Sequence, residues 1–415
     1  MNVRLIIQKG FVAALAALAL SSCDMMTESL DDCPTGLYVN FVYDYNIQQA
    51  DMLKDHVGGL TLYVYDESER LVASKTMGKG QLSKYGSYIH FSEQELAPGH
   101  SYRLMAVAFQ NDQLSADGAK YRLTGNNIGD QWSQFFINLD HSTTRAADNY
   151  YSVSNAAPLD TLWHTLTTLT SPAEAQPLQL YPAMLTPAKC EYSWQRDGTI
   201  KTNGVETVSL VCGEPTYATV ALIRDTKHLN ITLRALNDNV ADNQVTDKDY
   251  TVEIFDNNAQ LDCQNNLTNP NDTLVYTPYR QWTTSFIGTD QVVSEQVAHY
   301  DLMFNRLVYK NASVTDDQYA ILNPEDIANA RNAVLLIRKK DTGDIIFGIN
   351  LPYILSSGRT YQECYYHYQE YLDREYDYRL QFIIKGGRVE EIQLFIGAEV
   401  HIIPWAKRTQ YETLE

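Results

Sequence analysis

The chain has 415 residues, of which 51 are Asp or Glu and 32 are Lys or Arg, so its formal net charge at pH 7 is −19. Nucleic acid and anionic lipid headgroups repel such an acidic chain, which argues against either as a partner. The length allows two domains of ordinary size. Tyrosine is unusually common, with 29 residues against 12 phenylalanines, and its amphipathic ring favours sheet faces and contact surfaces over deep cores.

The first 22 residues have the layout of a bacterial export signal. Two cations, Arg4 and Lys9, precede an apolar run over residues 11–20, which at about ten residues is too short to cross a bilayer. A large aliphatic residue and two small ones then come directly before Cys23, in the order of a lipoprotein signal-peptidase site. We therefore predict a signal peptide over residues 1–22 and lipidation of Cys23, which would attach the chain to a membrane. The alternative is an ordinary export signal with an incidental cysteine.

Residues 23–34 are acidic and lack periodicity, which predicts a lipidated tether. The first strand follows in LYVNFVYDY, where apolar side chains recur at every second position from Leu37 to Tyr45. Further strands are predicted in LTLYVYD, RLVASKTM, YIHF and SYRLMAVAFQ, after which the strand signals weaken. We predict an N-terminal β-sandwich domain over residues 35–175 and a C-terminal one over 176–415, with the boundary in SPAEAQP.

Short segments rich in Val, Ile, Leu, Thr and Tyr resume beyond that boundary, and their spacing predicts an all-β protein of two tandem β-sandwich domains. Two short helices are expected in addition. One covers Asn323–Asn332, which opens with proline and acids, and the other covers Thr360–Tyr376, where apolar residues recur at helical spacing. The second helix is expected to turn its acidic residues to solvent. These are Glu363, Glu370, Asp373 and Glu375.

The sequence contains no recognisable catalytic motif. GxSxG, GxxxxGK[ST] and HExxH are all missing, and the cysteines form neither CxxC pairs nor a Cys/His cluster. We therefore expect no enzyme activity, no cofactor and no metal site. His164 is interpreted as a satisfied core or surface group. The acidic segment 238–249 is interpreted as a solvated loop in preference to a calcium site.

Of six cysteines, five remain once Cys23 carries lipid, and an odd number in an exported protein leaves at least one thiol unpaired. Cys190 and Cys212 are near enough in sequence to close a loop, whereas no partner for Cys33 can be chosen. The other two cysteines are Cys263 and Cys364.

The sequence resembles the FimB/Mfa-type family of fimbrial anchor subunits from Bacteroidales-type bacteria. The resemblance is carried by Cys23 with DDCPTGLYVNFVYDYN after it, and by ADMLKDHVGGLTLYVYDESERLV, LAPGHSYRLMAVAFQN, LDTLWHTL, VSLVCGEPTYATVALIRDTKHLNITLRAL and QEYLDREYDYRLQFIIK. It implies tandem transthyretin-like sandwiches with Greek-key strand order. It also implies a lipid-anchored, surface-exposed protein of the outer membrane that anchors a fimbrial shaft, limits its length and assists its assembly.

The resemblance further implies a fimbrial shaft subunit (pilin) as the partner, bound by strand addition, in which an extended segment of one subunit completes an open sheet edge of another. We expect the contact on sheet edges and on the C-terminal segment EIQLFIGAEVHIIPWAKRTQYETLE. Its candidate contact residues are Ile392, Leu394, Ile396, Ile402 and Trp405. The alternative is that this segment is the last strand of the second sandwich.

A surface glycan-binding lipoprotein of a nutrient-uptake system is the alternative function. It rests on the many tyrosines and on tryptophans that could stack on sugar rings if they are exposed. These are Trp132, Trp163, Trp194, Trp282 and Trp405.

Overall fold

The structure is a computed structural model. It describes residues 34–84, 88–111, 120–144, 150–166, 207–269, 272–288, 293–309, 330, 332–358, 360–361, 364–366, 368–396 and 399–403. These residues form 24 strands in five sheets and four short α-helices, so the expected all-β class with tandem sandwiches is confirmed. The helix expected over Asn323–Asn332 lies outside the described residues, as does Cys23.

The strands of the N-terminal half are β1 (Gly36–Val42), β2 (Gly59–Tyr65), β3 (Leu71–Gly78), β4 (Ile89–Phe91), β5 (Ser101–Phe109), β6 (Tyr121–Thr124), β7 (Phe136–Leu139), β8 (Tyr151–Ser152), β9 (Leu162–Thr165), β10 (Thr207–Ser209) and β11 (Pro215–Arg224). Those of the C-terminal half are β12 (Lys227–Ala235), β13 (Tyr250–Asp256), β14 (Gln260–Asp262), β15 (Leu274–Tyr276), β16 (Arg280–Ile287), β17 (Val293–Phe304), β18 (Val334–Lys339), β19 (Ile345–Asn350), β20 (Thr360–Tyr361), β21 (Cys364–Tyr365), β22 (Asp377–Lys385), β23 (Arg388–Ile396) and β24 (Glu399–Ile403). The helices are α1 (Leu53–His56), α2 (Lys79–Leu82), α3 (Leu351–Ser356) and α4 (Tyr368–Arg374).

The N-terminal sandwich is built from one eight-stranded sheet in the order β3-β2-β5-β9-β11-β1-β4, with β10 also paired to β5. Strand β11 joins its two halves, because residues 215–221 pair in parallel with β1 while residues 222–224 pair antiparallel with β9. Alternate side chains of β1 and β2 then enclose one apolar core. They include Leu37, Val39 and Phe41 of β1 and Leu60, Leu62 and Val64 of β2.

The C-terminal sandwich packs a six-stranded sheet, in the order β16-β17-β12-β22-β23-β24, against a five-stranded sheet in the order β19-β18-β13-β15-β8. Side chains of β12, such as Ile231, share a core with those of β13 and β18, such as Ile254 and Leu335. A smaller sheet, β14-β7-β6, covers the second face of β2, all of whose residues are therefore buried. This second face of β2 therefore belongs to the same apolar core as the C-terminal sandwich, whereas the core between β1 and the first face of β2 is separate.

Strand pairing divides the chain differently from the predicted split at residues 175 and 176, which itself falls outside the described residues. Strands β10 and β11 belong to the N-terminal sandwich, although they follow the predicted boundary. Strand β8 precedes that boundary and yet pairs with β15 of the C-terminal sandwich. Weak local signals could not reveal these exchanges, because sheet membership depends on contacts between residues distant in sequence.

The helix predicted over Thr360–Tyr376 is wrong in its first half. Residues 360–361 pair with residues 364–365 as β20 and β21, and among the described residues of this segment the helix covers Tyr368–Arg374 alone. Aromatic residues such as those of this segment favour strands over helices. The expectation that the acidic residues of this helix face solvent is also wrong for Glu370 and Asp373, whose side chains are buried at 0% and 1% exposure. Among the described helices, none is long and apolar enough to cross a membrane.

Candidate functional site

The strand order of the two sandwiches gives the molecule two distinct ends. Strands β1 and β11 begin side by side, with Gly36 opposite Pro215, and we call this end of the N-terminal sandwich the entry pole. Strand β11 ends at Arg224, and β12 begins at Lys227, where the two sandwiches meet. The end of the C-terminal sandwich where β12 finishes, at Ala235, is called the distal pole.

The β16–β17 hairpin extends past its neighbours at the distal pole. The last residue pair between β12 and β17 is Arg234–Val297, whereas β16 and β17 continue through the pair Phe286–Glu295. The projecting part carries apolar side chains in water, since Phe286 is 51% and Ile287 63% exposed. An exposed edge strand with an apolar tip is a surface on which another chain can pair.

The six-stranded sheet ends in β16 on one side and β24 on the other, so each of these strands has a neighbour on one side only within the described part of the chain. The unpaired side of an edge strand presents backbone N–H and C=O groups that an added strand can use. The sheet therefore offers two open edges, one of them formed by the C-terminal segment predicted to contact a partner.

The predicted contact residues are divided between the core and this edge. Ile392 and Leu394 lie in β23, are 0% and 1% exposed, and pack in the shared core. Ile396 and Ile402 pair with Glu399 and Gln393 in the β23–β24 ladder. Trp405 lies outside the described residues. Ile392 and Leu394 are thus core residues, and a partner contact through this segment stays a prediction for β24 and the residues that follow it.

The junction between the sandwiches holds a charged cluster that the sequence did not indicate. Arg306, beyond the end of β17, donates two hydrogen bonds to Asp373 of α4, at 2.8 and 2.9 Å. The ammonium group of Lys227 donates to the backbone carbonyls of Asp373 and Glu375, both at 2.9 Å. Burial raises the pKa of the nearby Asp225 carboxyl to about 7, and burial lowers the pKa of Lys227 to about 8.

Helix α4 also binds the N-terminal sandwich directly. Arg374 donates to the backbone carbonyl of Asn46 at 3.2 Å, and its guanidinium lies 4.2 Å from the ring centroid of Tyr45. Both contacts are with the loop that follows β1. The carboxylate of Glu370, one turn earlier on α4, accepts from Arg374 at 3.1 Å. These buried interactions couple the two sandwiches energetically.

The family model for fimbrillin-A associated anchor proteins Mfa1 and Mfa2 matches residues 30–183 and 204–411, which include both sandwiches. The chain belongs to this family of fimbrial anchor proteins. Membership associates the protein with fimbriae at the cell surface and gives it a role in fimbrial anchoring or adhesion. No curated protein matches the chain.

Solved structures show the same fold at low sequence identity. A candidate adhesin from Bacteroides thetaiotaomicron matches with 21% identity and a TM-score of 0.59, over 87% of this chain and 96% of its own. A candidate polysaccharide-binding protein from the same organism matches with 20% identity and a TM-score of 0.59, over 90% and 99%. A candidate adhesin from Bacteroides ovatus matches with 21% identity and a TM-score of 0.58, over 90% and 97%.

The tryptophans proposed to stack on sugars occupy different environments in this anchor-family protein. Trp132 and Trp163 are buried, at 6% and 0% exposure. Trp282 is half-buried on β16, where its ring stacks on His299 with 5.0 Å between centroids and lies beneath Arg280. Trp194 and Trp405 lie outside the described residues. Two of the five rings are therefore inaccessible to a glycan, and glycan binding stays a prediction.

A cleft of about 790 Å³ lies between the small sheet and β5, and its lining includes Asn138, Asp140 and Gln260. Several of these polar groups already bond to one another. Gln260 donates to Asn138 at 2.7 Å, and Arg122 donates to Asp140. A ligand would have to break such bonds to make its own, which lowers the affinity that the cleft can offer.

The acidic segment 238–249 does not converge on one point. Asp238 pairs with Lys385 at 3.1 Å, Asp247 accepts from Thr283, and Asp249 accepts from Thr246. The described residues contain no group of three His, Cys, Asp or Glu side chains that could hold a metal ion. The buried His164 contacts the backbone carbonyl of Thr165 through Nδ1 at 3.1 Å, and burial lowers its pKa to about 4. His164 is thus a core residue, one of the two environments expected for it.

Proposed function

We propose that this protein is a non-enzymatic outer-membrane lipoprotein that anchors fimbriae to the cell surface and helps to assemble the shaft or limit its length. The observation that carries the proposal is the match of the anchor-family model across both sandwiches. The order of residues before Cys23, typical of a lipoprotein signal, supplies the means of attachment. No catalytic chemistry is needed for this function.

The tether length is consistent with a position close to the membrane. Cys23 and Gly36 are about thirteen peptide units apart, which span at most about 43 Å when fully extended. A lipid on Cys23 would therefore keep the entry pole within a few nanometres of the bilayer. The distal pole lies at the far end of the C-terminal sandwich, where an incoming shaft subunit would have access.

We further propose that the shaft subunit binds by strand addition to an open edge of the six-stranded sheet. Strand β24 is the preferred edge, because it carries Ile402 and leads directly to Trp405. The buried side chains of Ile392 and Leu394 hold β23 in the core and so give β24 a rigid support. Backbone hydrogen bonds would supply affinity, and alternate side chains would set the register.

Crosslinking and affinity capture of the intact protein from cells tests the partner. The wild-type protein and Ile402→Val should both recover a pilin-like shaft subunit, whereas Ile402→Pro should lose it, since proline removes a backbone donor and does not fit a paired strand. Circular dichroism and membrane fractionation check that each variant is folded and anchored. Recovery of a porin-type transporter in place of a shaft subunit would contradict the proposal.

Lipid attachment is tested separately with Cys23→Ala. The variant should lose acyl labelling and leave the membrane fraction, and cells that carry it should shed fimbriae into the medium. A Ser22→Ala variant, which keeps a small residue before the cysteine, serves as the control and should be acylated as usual. Undiminished acyl labelling of Cys23→Ala would refute this lipidation site.

A further inference from the structure

Four aromatic side chains form a patch on the outer face of the N-terminal sandwich at the entry pole. Tyr38 of β1 pairs in register with Tyr217 of β11 on one side and with His90 of β4 on the other. The Tyr38 ring stacks on His90 at 4.3 Å between centroids and lies 5.0 Å from Tyr88 and 5.3 Å from Tyr217. We call Tyr38, Tyr88, His90 and Tyr217 the aromatic patch.

The aromatic patch is open to solvent, in contrast to the opposite face of the same strands. Tyr217 is 66% and Tyr88 51% exposed, whereas Leu37 and Val39, which alternate with Tyr38 on β1, are fully buried. Val211, in the turn before β11, is also 53% exposed. Three of the large apolar or aromatic side chains exposed in the described residues thus lie around this one end. Such clustering indicates an interaction surface.

The position of the aromatic patch in the chain indicates what it contacts. Tyr38 is the third residue of β1, only about fifteen peptide units from Cys23, which allow a reach of at most about 50 Å. We propose that the aromatic patch rests on the lipid headgroups of the membrane to which Cys23 attaches the protein. This inference depends on the lipid attachment in the proposed function, but not on the contact with the shaft.

Tyrosine suits such a contact, because its ring partitions into the interfacial region while its hydroxyl stays bonded to water or headgroups. Charges of both signs lie near the patch: the exposed Glu214, Glu93, which accepts from the backbone of Gly213 at 2.6 Å, and Lys75, which donates to the backbone carbonyl of His90 at 2.7 Å. Charges of both signs suit zwitterionic headgroups, which carry a phosphate and an ammonium group, better than a purely anionic surface. The tether raises the local concentration of the patch at the bilayer, and a weak contact then suffices.

The contact would orient the protein. The tether alone leaves the sandwiches free to rotate, whereas a second attachment at the aromatic patch would hold the starts of β1 and β11 against the bilayer. Strand β11 leads from that end to Arg224, and β12 begins at Lys227 and finishes at the distal pole. Such an orientation would also decide which open edges of the six-stranded sheet, β24 among them, a shaft subunit can reach.

Hydroxyl-radical footprinting of the intact lipidated protein in phosphatidylcholine vesicles tests the proposal. Relative to the unacylated Cys23→Ser protein in solution, oxidation of Tyr88 and Tyr217 should fall by about threefold or more, because the interface shields the rings. Oxidation of Phe286 and Ile287 at the distal pole should not change, which provides an internal control. The exposed Val211 should be protected with the tyrosines in the wild-type protein. This protection should disappear in a Tyr88→Ser/Tyr217→Ser variant and persist in Tyr88→Phe/Tyr217→Phe.

Acyl labelling of the same samples separates the two proposals. If Cys23 carries no acyl group, both the lipid attachment and the membrane contact are overturned. If the protein is acylated and vesicle-bound but Tyr88 and Tyr217 oxidise as fast as in solution, only the membrane contact is overturned. Protection that appears only after a shaft subunit or a polysaccharide is added would assign the patch to that partner and would also overturn the proposal.

Discussion

The guanidinium of Arg306 and the carboxylate of Asp373 form a two-point ion pair in the interior of the protein. Nε donates to Oδ1 at 2.8 Å and Nη2 donates to Oδ2 at 2.9 Å. The side chains are 6% and 0% exposed, so each charge has lost most of its water and depends on the other. The pair joins the end of β17 to α4, close to the contacts that bind the two sandwiches together.

Removal of one charge from this pair should strongly destabilise the fold. Asp373→Asn leaves the Arg306 guanidinium buried without its counter-charge, and we expect the free energy of unfolding to fall by about 3 to 5 kcal/mol. Urea denaturation followed by circular dichroism measures the change. The control is Asp140→Asn, which breaks the exposed pair with Arg122 and should cost no more than about 1 kcal/mol. Equal losses in the two variants would contradict this account.

The burial of His164 predicts a loss of stability in acid. Its pKa is lowered to about 4 by burial, whereas the imidazole of an unfolded chain titrates near 6.5. Below about pH 6.5 the His164 imidazole therefore binds a proton in the unfolded chain but not in the folded protein. The free energy of unfolding is thus highest above that pH and declines as the pH falls toward 4. The total loss should be roughly 3 kcal/mol.

Unfolding measured between pH 7.5 and 4.5 for the wild type and His164→Gln isolates this contribution. The stability of the wild type should fall more steeply than that of the variant, which has no imidazole at this position. The difference between the two proteins also cancels the opposite trend from Asp225, whose raised pKa lets the folded state bind a proton first as the pH falls. Parallel pH profiles would show that His164 does not titrate in this way.

The two cysteines whose side chains are described should differ in reactivity. Cys212 is exposed, while Cys263 is buried and its pKa is raised to about 12, mainly by burial. Because the thiolate is the reactive form, iodoacetamide at pH 8 should label reduced Cys212 in the native protein, and Cys263 only after denaturation. Peptide mass spectrometry measures both sites.

The same labelling without reductant tests the loop closure suggested for Cys190 and Cys212. Cys212 should label in both conditions if its thiol is free, and only after reduction if the two residues form a disulfide. Rapid labelling of Cys263 in the native protein would contradict its burial.

Gly125 and Gly99 can be compared to test how closely neighbouring backbone atoms approach the position that a Cβ would occupy. Both have a positive φ, at +67° and +82°. A Cβ on Gly125 would lie 2.1 Å from the carbonyl oxygen of Gln134, whereas a Cβ on Gly99 would meet no atom within 4 Å. Gly99→Ala should cost about 1 to 2 kcal/mol through its backbone conformation alone. Gly125→Ala should cost at least about 2 kcal/mol more, because backbone atoms must move. Equal midpoints of thermal unfolding for Gly99→Ala and Gly125→Ala would contradict the expected clash at Gly125.

Local periodicity was sufficient for most of the strands. The alternation in LYVNFVYDY predicted β1 and its buried face, with Leu37 and Val39 in the core. The helical spacing in Thr360–Tyr376 led to the wrong prediction of one continuous helix, because the same apolar positions also suit a strand pair followed by a short helix. Asp373 looked solvent-facing because its partner Arg306 is far away in the sequence, and no local signal links the two. Glu370 has a local partner in Arg374, but that pairing does not reveal that both side chains are buried.

The sequence by itself determined the all-β class and the family resemblance, and it predicts an export signal with lipidation at Cys23, because each depends on residues close together in the chain or on their order along it. Only the tertiary structure decided which strands complete which sandwich, that Ile392 and Leu394 lie in the core, and that Asp373 meets Arg306. The same is true of the aromatic patch, where Tyr38 and Tyr217 become neighbours through the parallel pairing of β1 and β11. Long-range pairing of this kind leaves no local trace, since sheet contacts join residues whose separation in sequence the pattern of either strand does not encode.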